Sequence, residues 1–388
     1  MPVKKLFPLF AALLILLFLI PVNVKAEEAE EDMTEELIRQ LDFIDSESWE
    51  IFFRESGIPT LTDLETVDEL LLAIAEGRAD DPQNLMGAIK AIAQNELTGL
   101  LRVLIALAVA AALTMLPALI TDEGIKPVLS LALSLTAVML SASAFTALCG
   151  RTFAAVKRAS EFTESSIPVM CGLLLSMGST ATAGVLRPLM LFLSGTVIGL
   201  IERVALPVCA ACGVFAAVNC LTEDGKLTGW IRLAGTIVRS LLGVLSVVYI
   251  GVTGVRGMTM GLKDGVAIRT ARYAIGRMVP IVGSMVSGTV ESIMGCALLL
   301  KNGVGAAAAL LLVSVMAAPI AANLAAIIVF RAAAAFAGAF ADKRIAALYS
   351  GIADSIKNLL ACSVAAASML AMTIAVFLVS GGMTAGLW

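Results

Sequence analysis

The sequence predicts an all-α polytopic membrane protein with about six to eight transmembrane helices, and three observations carry that expectation. Hydrophobic residues make up 59% of the 388-residue chain and charged residues only 15%, with a mean hydropathy of +0.94, values outside the range of water-soluble domains. From residue 97 onward, apolar runs follow one another with short interruptions, and about 20 residues suffice to cross the hydrocarbon as a helix. Charge is also segregated. Residues 27–96 hold twenty acids and four bases, whereas residues 97–388 hold eleven acids and twenty bases, so an acidic head precedes a basic membrane body.

Residues 1–26 open with Lys4 and Lys5, continue through an apolar run over 6–20 and end in Val24-Lys25-Ala26. This is the form of a secretory signal peptide with cleavage after Ala26, and an uncleaved anchor helix is the alternative; either way the following residues are exported. Residues 27–96 read as an acidic extracytoplasmic segment of short amphipathic helices. Asp32-Met-Thr-Glu35 and Thr62-Asp-Leu-Glu65 have the form of capping boxes, Leu37, Leu41 and Ile44 recur at helical spacing, and Ile58-Pro59 and Asp81-Pro82 divide the segment. So small and acidic a segment has little core of its own; it is either a docking surface for another protein or a solvated spacer.

Residues 97–388 form the multi-span membrane domain. Spans are expected over 97–120 and 127–148, joined by a turn through Asp122, Glu123 and Lys126, with a more polar stretch over 150–166. A weaker span over 167–184 is broken by Ser179-Thr180-Ala181-Thr182. Arg187-Pro188 opens an apolar stretch reaching 221, too long for one straight crossing and carrying Glu202, Arg203 and Pro207, so a bent or interrupted unit is expected. Further spans are expected over 233–255, 304–330 and 359–380. The run 279–300, rich in Gly, Ser and Thr, reads as a full span or a re-entrant segment, and alanine-rich 331–358 as an interfacial helix. An exported start and four crossings before 221 would place the basic run after 255 in the cytoplasm, as the positive-inside rule requires.

The chain has no histidine, which excludes Ser-His-Asp triads and His-ligated zinc or haem. Its seven cysteines lie in or beside apolar segments and read as small packing groups. Cys209-Ala-Ala-Cys212 has redox-motif spacing without the strand and helix context such motifs need. A phosphate-binding GxxxxGK[ST] is absent, and the basic run 256–277, which could touch anionic lipid, lacks the aromatic interleaving of a nucleic-acid binder. No enzyme chemistry, cofactor or metal is expected.

Ionisable residues within apolar runs carry the functional signal, because each costs about 2.5–3.5 kcal/mol at a helix centre if unpaired. Arg102, Glu202, Arg203, Arg239 and Glu291 are of this kind. Glu202 and Arg203 are adjacent, so each needs its partner from a different helix. Glu291 lies in a small-residue run and could face Arg239 or the bases after Val255, as a coupling-ion site or as a structural ion pair. Residues 251–305 form the core stretch, combining glycines at three- and four-residue spacing with Arg256, Lys263, Asp264, Arg269, Arg272, Arg277, Glu291 and Lys301. The candidate pore or packing residues are Glu202, Arg203, Arg239, Asp264, Arg269, Glu291 and Lys301.

Within that stretch, the run from Asp264 to Tyr273 (DGVAIRTARY), Pro280-Ile281-Val282-Gly283 and Leu299-Leu300-Lys301-Asn302-Gly303 closely resemble the stage III sporulation protein AE family of endospore-forming Firmicutes. The overall layout agrees, and the likeness covers roughly residues 90–388. The resemblance implies a multi-pass component of the mother-cell half of the sporulation channel complex, in the outer forespore membrane. Its implied partners are other stage III A proteins, including a secretion-type ATPase and ring-forming proteins, and a forespore protein across the intermembrane space. The resemblance implies a channel- or permease-like subunit needed for forespore development after engulfment; a structural scaffold of that complex and an independent secondary transporter are the alternatives. It assigns no catalytic or binding residue.

Overall fold

The computed structural model describes residues 46–55, 66, 67, 69, 105–107, 109, 110, 113, 125–177, 179–221, 227–278, 283–340 and 343–385, and over 255–297 the backbone with next to no side chains. The signal peptide, most of the acidic segment and most of the 97–120 run lie outside these residues. The long described elements are all helical: α1 (Ser46–Glu55), α2 (Ile125–Ser176), α3 (Thr180–Leu193), α4 (Leu206–Leu221), α5 (Thr228–Met278), α6 (Gly283–Phe340) and α7 (Lys343–Ala385). Two π-helical turns, Ser194–Ile198 and Ile201–Ala205, join α3 to α4. Among the described residues, five stretches are long and apolar enough to cross a membrane: Val128–Ser176, Thr180–Cys220, Thr228–Gly254, Leu300–Ala339 and Lys343–Ser380.

Several of these helices run through positions where the sequence pattern suggests an interruption. The expected span over 127–148, the polar stretch after it and the first ten residues of the expected span over 167–184 form one helix of 52 residues, about 78 Å at 1.5 Å per residue. Charge lowers hydropathy without breaking a helix, since Lys, Arg and Glu are good helix formers. The run 283–300 continues without interruption into the 304–330 span, and α5 continues from its apolar half through the basic run to Met278. The alanine-rich 331–358 stretch is not a separate interfacial helix. Alanine favours helix on both sides of 341–342, so the stretch is divided between the end of α6 and the start of α7. The break expected at Ser179 is present between α2 and α3. The interrupted unit reaching 221 is the α3–α4 rod. Its second π turn ends two residues before Pro207, which has no N–H to return to the carbonyl of Arg203.

Contacts between side chains fix the relative direction of the helices. Gly213 of α4 meets Phe145 of α2, and Gly195 of the first π turn faces Glu164, so the α3–α4 rod runs antiparallel to α2. The Asn323 amide donates to Thr152 Oγ1 at 2.9 Å and Gly305 lies against Met170, so α6 is also antiparallel to α2. Lys301 reaches Leu378 and Arg331 reaches Asp354, an antiparallel α6–α7 pair. Gly235 lies against Asn358, and Tyr249 hydrogen-bonds Thr373, so α5 and α7 are parallel. The result alternates α2 up, α3–α4 down, α5 up, α6 down and α7 up.

Helix α7 is the central member, packed against α2, α4, α5 and α6. It is apolar nearly all round over 359–380, which suits a helix with neighbours on every side, and its Ala365, Ala366, Ala367 and Ser368 let them come close. Buried polar pairs such as Asn323 with Thr152 and Tyr249 with Thr373 link helices across the apolar interior. Helix α1 is seated on the bundle. Trp49 meets the edge of the Phe162 ring at a centroid distance of 5.0 Å, and Phe52 stacks on the same ring at 4.0 Å.

Candidate functional site

The packing register sets the depth of the charged residues. Between Lys301 and Arg331, α6 carries no charged side chain; neither does α5 between Arg239 and Arg256, nor α7 beyond Lys357. Because Thr152 pairs with Asn323 and Met170 with Gly305, residues 152–170 of α2 lie alongside residues 305–323 of α6, inside that uncharged run. The polar middle of α2 therefore sits at the depth of its neighbours' apolar runs.

At that depth Lys157 and Glu161 pair at 3.7 Å, both about two-thirds exposed. Ser160 donates to Glu164 Oε1 at 3.5 Å, and Glu164 faces Gly195, which has no side chain to fill the space. The π turns bring Glu202 within electrostatic reach of Lys157, Glu161 and Glu164 of α2, besides its neighbour Arg203. Of these α2 groups only Lys157 is opposite in charge to Glu202, while Glu161 and Glu164 repel it. Glu202 is half-buried, whereas Arg203 is exposed. Helix α1, with Glu50 and Arg54 on its outer side, is held at the same depth by Phe162. Lys157, Glu161, Glu164 and Glu202 thus gather where α2 meets the π turns, at a depth where lipid would leave these groups unsolvated.

The other candidates are dispersed. Lys301 is fully buried near the opposite end of the apolar runs, where its Nζ donates to the Leu378 carbonyl at 2.8 Å. Arg239 donates through Nε to the Gly235 carbonyl at 2.8 Å and faces α7, so its neighbour is Asn358. Asp264, Arg269 and Glu291 lie on helical backbone of α5 and α6, and their side chains are outside the described residues. In the sequence, 150–166 has the look of a polar stretch between two spans, so Ser160, Glu161 and Glu164 are not among the candidates it offers. The signal available was their spacing: Lys157, Glu161 and Glu164 recur at four and three residues and share one helix face.

Comparison with known proteins adds identity to this geometry. A family model described as stage III sporulation protein AE matches residues 66–381. The stage III sporulation protein AE of Bacillus subtilis (strain 168) is similar, 25% identical over 247 residues, which is 64% of this chain and 62% of that relative. The matched region thus spans less than two thirds of the relative's length. No solved structure matches. The family match takes in all five membrane-capable stretches, the charged face of α2 and the core stretch 251–305 together, and the chain belongs to the stage III sporulation protein AE family.

Proposed function

We propose that this protein is the channel- or permease-like membrane subunit of the sporulation complex that joins mother cell and engulfed forespore, and that it acts without enzyme chemistry. The family supports the sporulation role. The observation that supports a passage is the charged face of Lys157, Glu161, Glu164, Glu202 and Arg203 at the depth of the apolar runs. Exposed charges at that depth need water or another protein subunit, and a face lining an aqueous passage between subunits supplies both. The seat of α1 supports the same reading, since a helix bearing Glu50 and Arg54 on its outer side is tolerable there only beside water or protein. Its partners on this reading are the other stage III A proteins of the mother-cell membrane, including a secretion-type ATPase and ring-forming proteins, and a forespore protein across the intermembrane space.

The test is replacement of the native gene by a Glu161→Leu, Glu164→Leu variant, scoring protein level, complex assembly, forespore size after engulfment and heat-resistant spores. The expected outcome is assembled protein at normal level, engulfed forespores that stall, and spore yield reduced by more than about tenfold, because the passage loses its polar lining. Full spore yield would overturn the reading. Loss of assembly with the yield would turn the face into a scaffold interface.

A further inference from the structure

At the end of the bundle where α5 begins, the apolar runs of α5, α6 and α7 stop at the same level, at Leu233, Phe330 and Leu359. A cleft of about 390 Å³ opens there between α4, α5 and α7. Arg232 and Arg239 enter it from the same face of α5, about two turns apart, and Lys357 and Asn358 enter from α7. Gly235 forms part of its wall. A methyl group at this position would come to 2.9 Å from Asn358 Nδ2 and 3.5 Å from an Arg239 Nη atom, so the amide and the guanidinium converge on the space the glycine leaves. The bond from Nε to the Gly235 carbonyl fixes the Arg239 fork with its terminal N–H groups free to donate.

Two further observations point to a ligand. Asn358 is only 7% exposed and lines the cleft, and no described residue hydrogen-bonds its amide, which leaves that amide able to bond a molecule held there. The single carboxylate of the cleft, Asp354, is engaged by Arg331, which also donates to Ser350 Oγ at 3.1 Å. Among the described residues no carboxylate lies within ion-pair distance of Arg232, Arg239 or Lys357, so none of these three cations of the cleft is neutralised by a described side chain.

We propose that this cleft is a binding site for a phosphate-bearing anion, held by the Arg239 fork and Arg232, neutralised by Lys357 and bonded by the Asn358 amide. Guanidinium forks match phosphate oxygens in pairs, and a basic pocket between helices at the edge of the hydrocarbon lies at the level of lipid phosphates. The volume suits a headgroup or a small phosphate and falls within the ordinary range of ligand pockets. The phosphate can come from an anionic phospholipid or from solution.

The full chain, purified in neutral detergent, is offered phosphatidylglycerol in one arm, with retained lipid read by native mass spectrometry. The other arm offers inorganic phosphate, read by equilibrium binding. Each arm compares wild type with Arg232→Gln/Arg239→Gln/Lys357→Gln and with Lys343→Gln, an exposed cation outside the cleft, as control. One probe is expected to bind and to raise the melting temperature of wild type and control, with affinity falling at least about tenfold in the triple variant. Retained lipid without phosphate binding identifies a headgroup site, and the converse a site for free phosphate. If the triple variant does not fold, Arg239→Lys keeps the charge but loses the fork and is expected to weaken binding several-fold. Binding of neither probe by wild type, or equal binding by all variants, overturns the proposal. Because the readout is binding by the isolated chain, its failure leaves the passage reading untouched.

Discussion

At Gly213 the α4 backbone comes so close to α2 that any side chain there would overlap the ring of Phe145. Gly213→Val should therefore destabilise the α2–α4 contact by about 1–3 kcal/mol, the usual cost of overpacking, whereas Gly150→Ala, at an open position, should be neutral or slightly stabilising. Thermal melts of the two variants in detergent check this, and Phe145→Ala should partly restore Gly213→Val. Single residues differ in how visible they are in the sequence. Lys301 stands out because a lysine preceding a 29-residue stretch without charge must find a protein partner, and it does. Arg232, Lys357 and Asn358 do not stand out. They lie at the margins of apolar runs, where cations and amides are ordinary, and the cleft they share joins positions more than a hundred residues apart.

The helices show where hydropathy and backbone part company. The fold class and the break at Ser179 were legible because they depend on apolar content and on small polar residues that lack helix preference. The join of 127–148 to 167–184 was not legible from hydropathy, because a charged stretch looks like a loop whether it leaves the helix or stays in it. Lys, Arg and Glu keep the backbone helical, and only packing against α6 reveals their depth. Motif spacing misleads in the same way at Cys209. Its Sγ lies 3.8 Å from Cys362 of α7, so the cysteine it faces is 153 residues away and is not Cys212 of the CxxC spacing. A membrane-permeant oxidant should join Cys209 to Cys362 within one chain, seen by mass spectrometry of the digested protein. Cross-linking of Cys209 to Cys212 instead would contradict the antiparallel α4–α7 contact.

For the molecule as a whole, the alternation of α2 through α7 turns orientation into a parity argument. If residues 27–96 are exported and the basic run 256–277 lies in the cytoplasm, as the signal-like start and the positive-inside rule lead one to expect, an odd number of crossings separates them. Helix α2, the α3–α4 rod and α5 supply three, so the 97–120 run should not cross; the Leu107 carbonyl, bonded to Tyr349 Oη at 3.2 Å, lies beyond the end of the α7 apolar run. Single cysteines introduced by Asp224→Cys and Thr270→Cys in an otherwise cysteine-free chain test this. The first should react with an impermeant maleimide from outside, and the second only after the membrane is opened. The reverse pattern would show either that the run crosses or that residues 27–96 are not exported, and a cysteine introduced by Ser48→Cys, labelled from outside only in the first case, separates the two. Helix α5 adds a mechanical consequence. It is 51 residues long without an internal proline, with the Arg232 cleft near its start, Tyr249 anchored to Thr373 midway and the basic run 256–277 beyond. Such a strut barely shortens under load, so an axial displacement at one face of the membrane is delivered to the other almost undiminished, carrying Thr373 and the central helix with it.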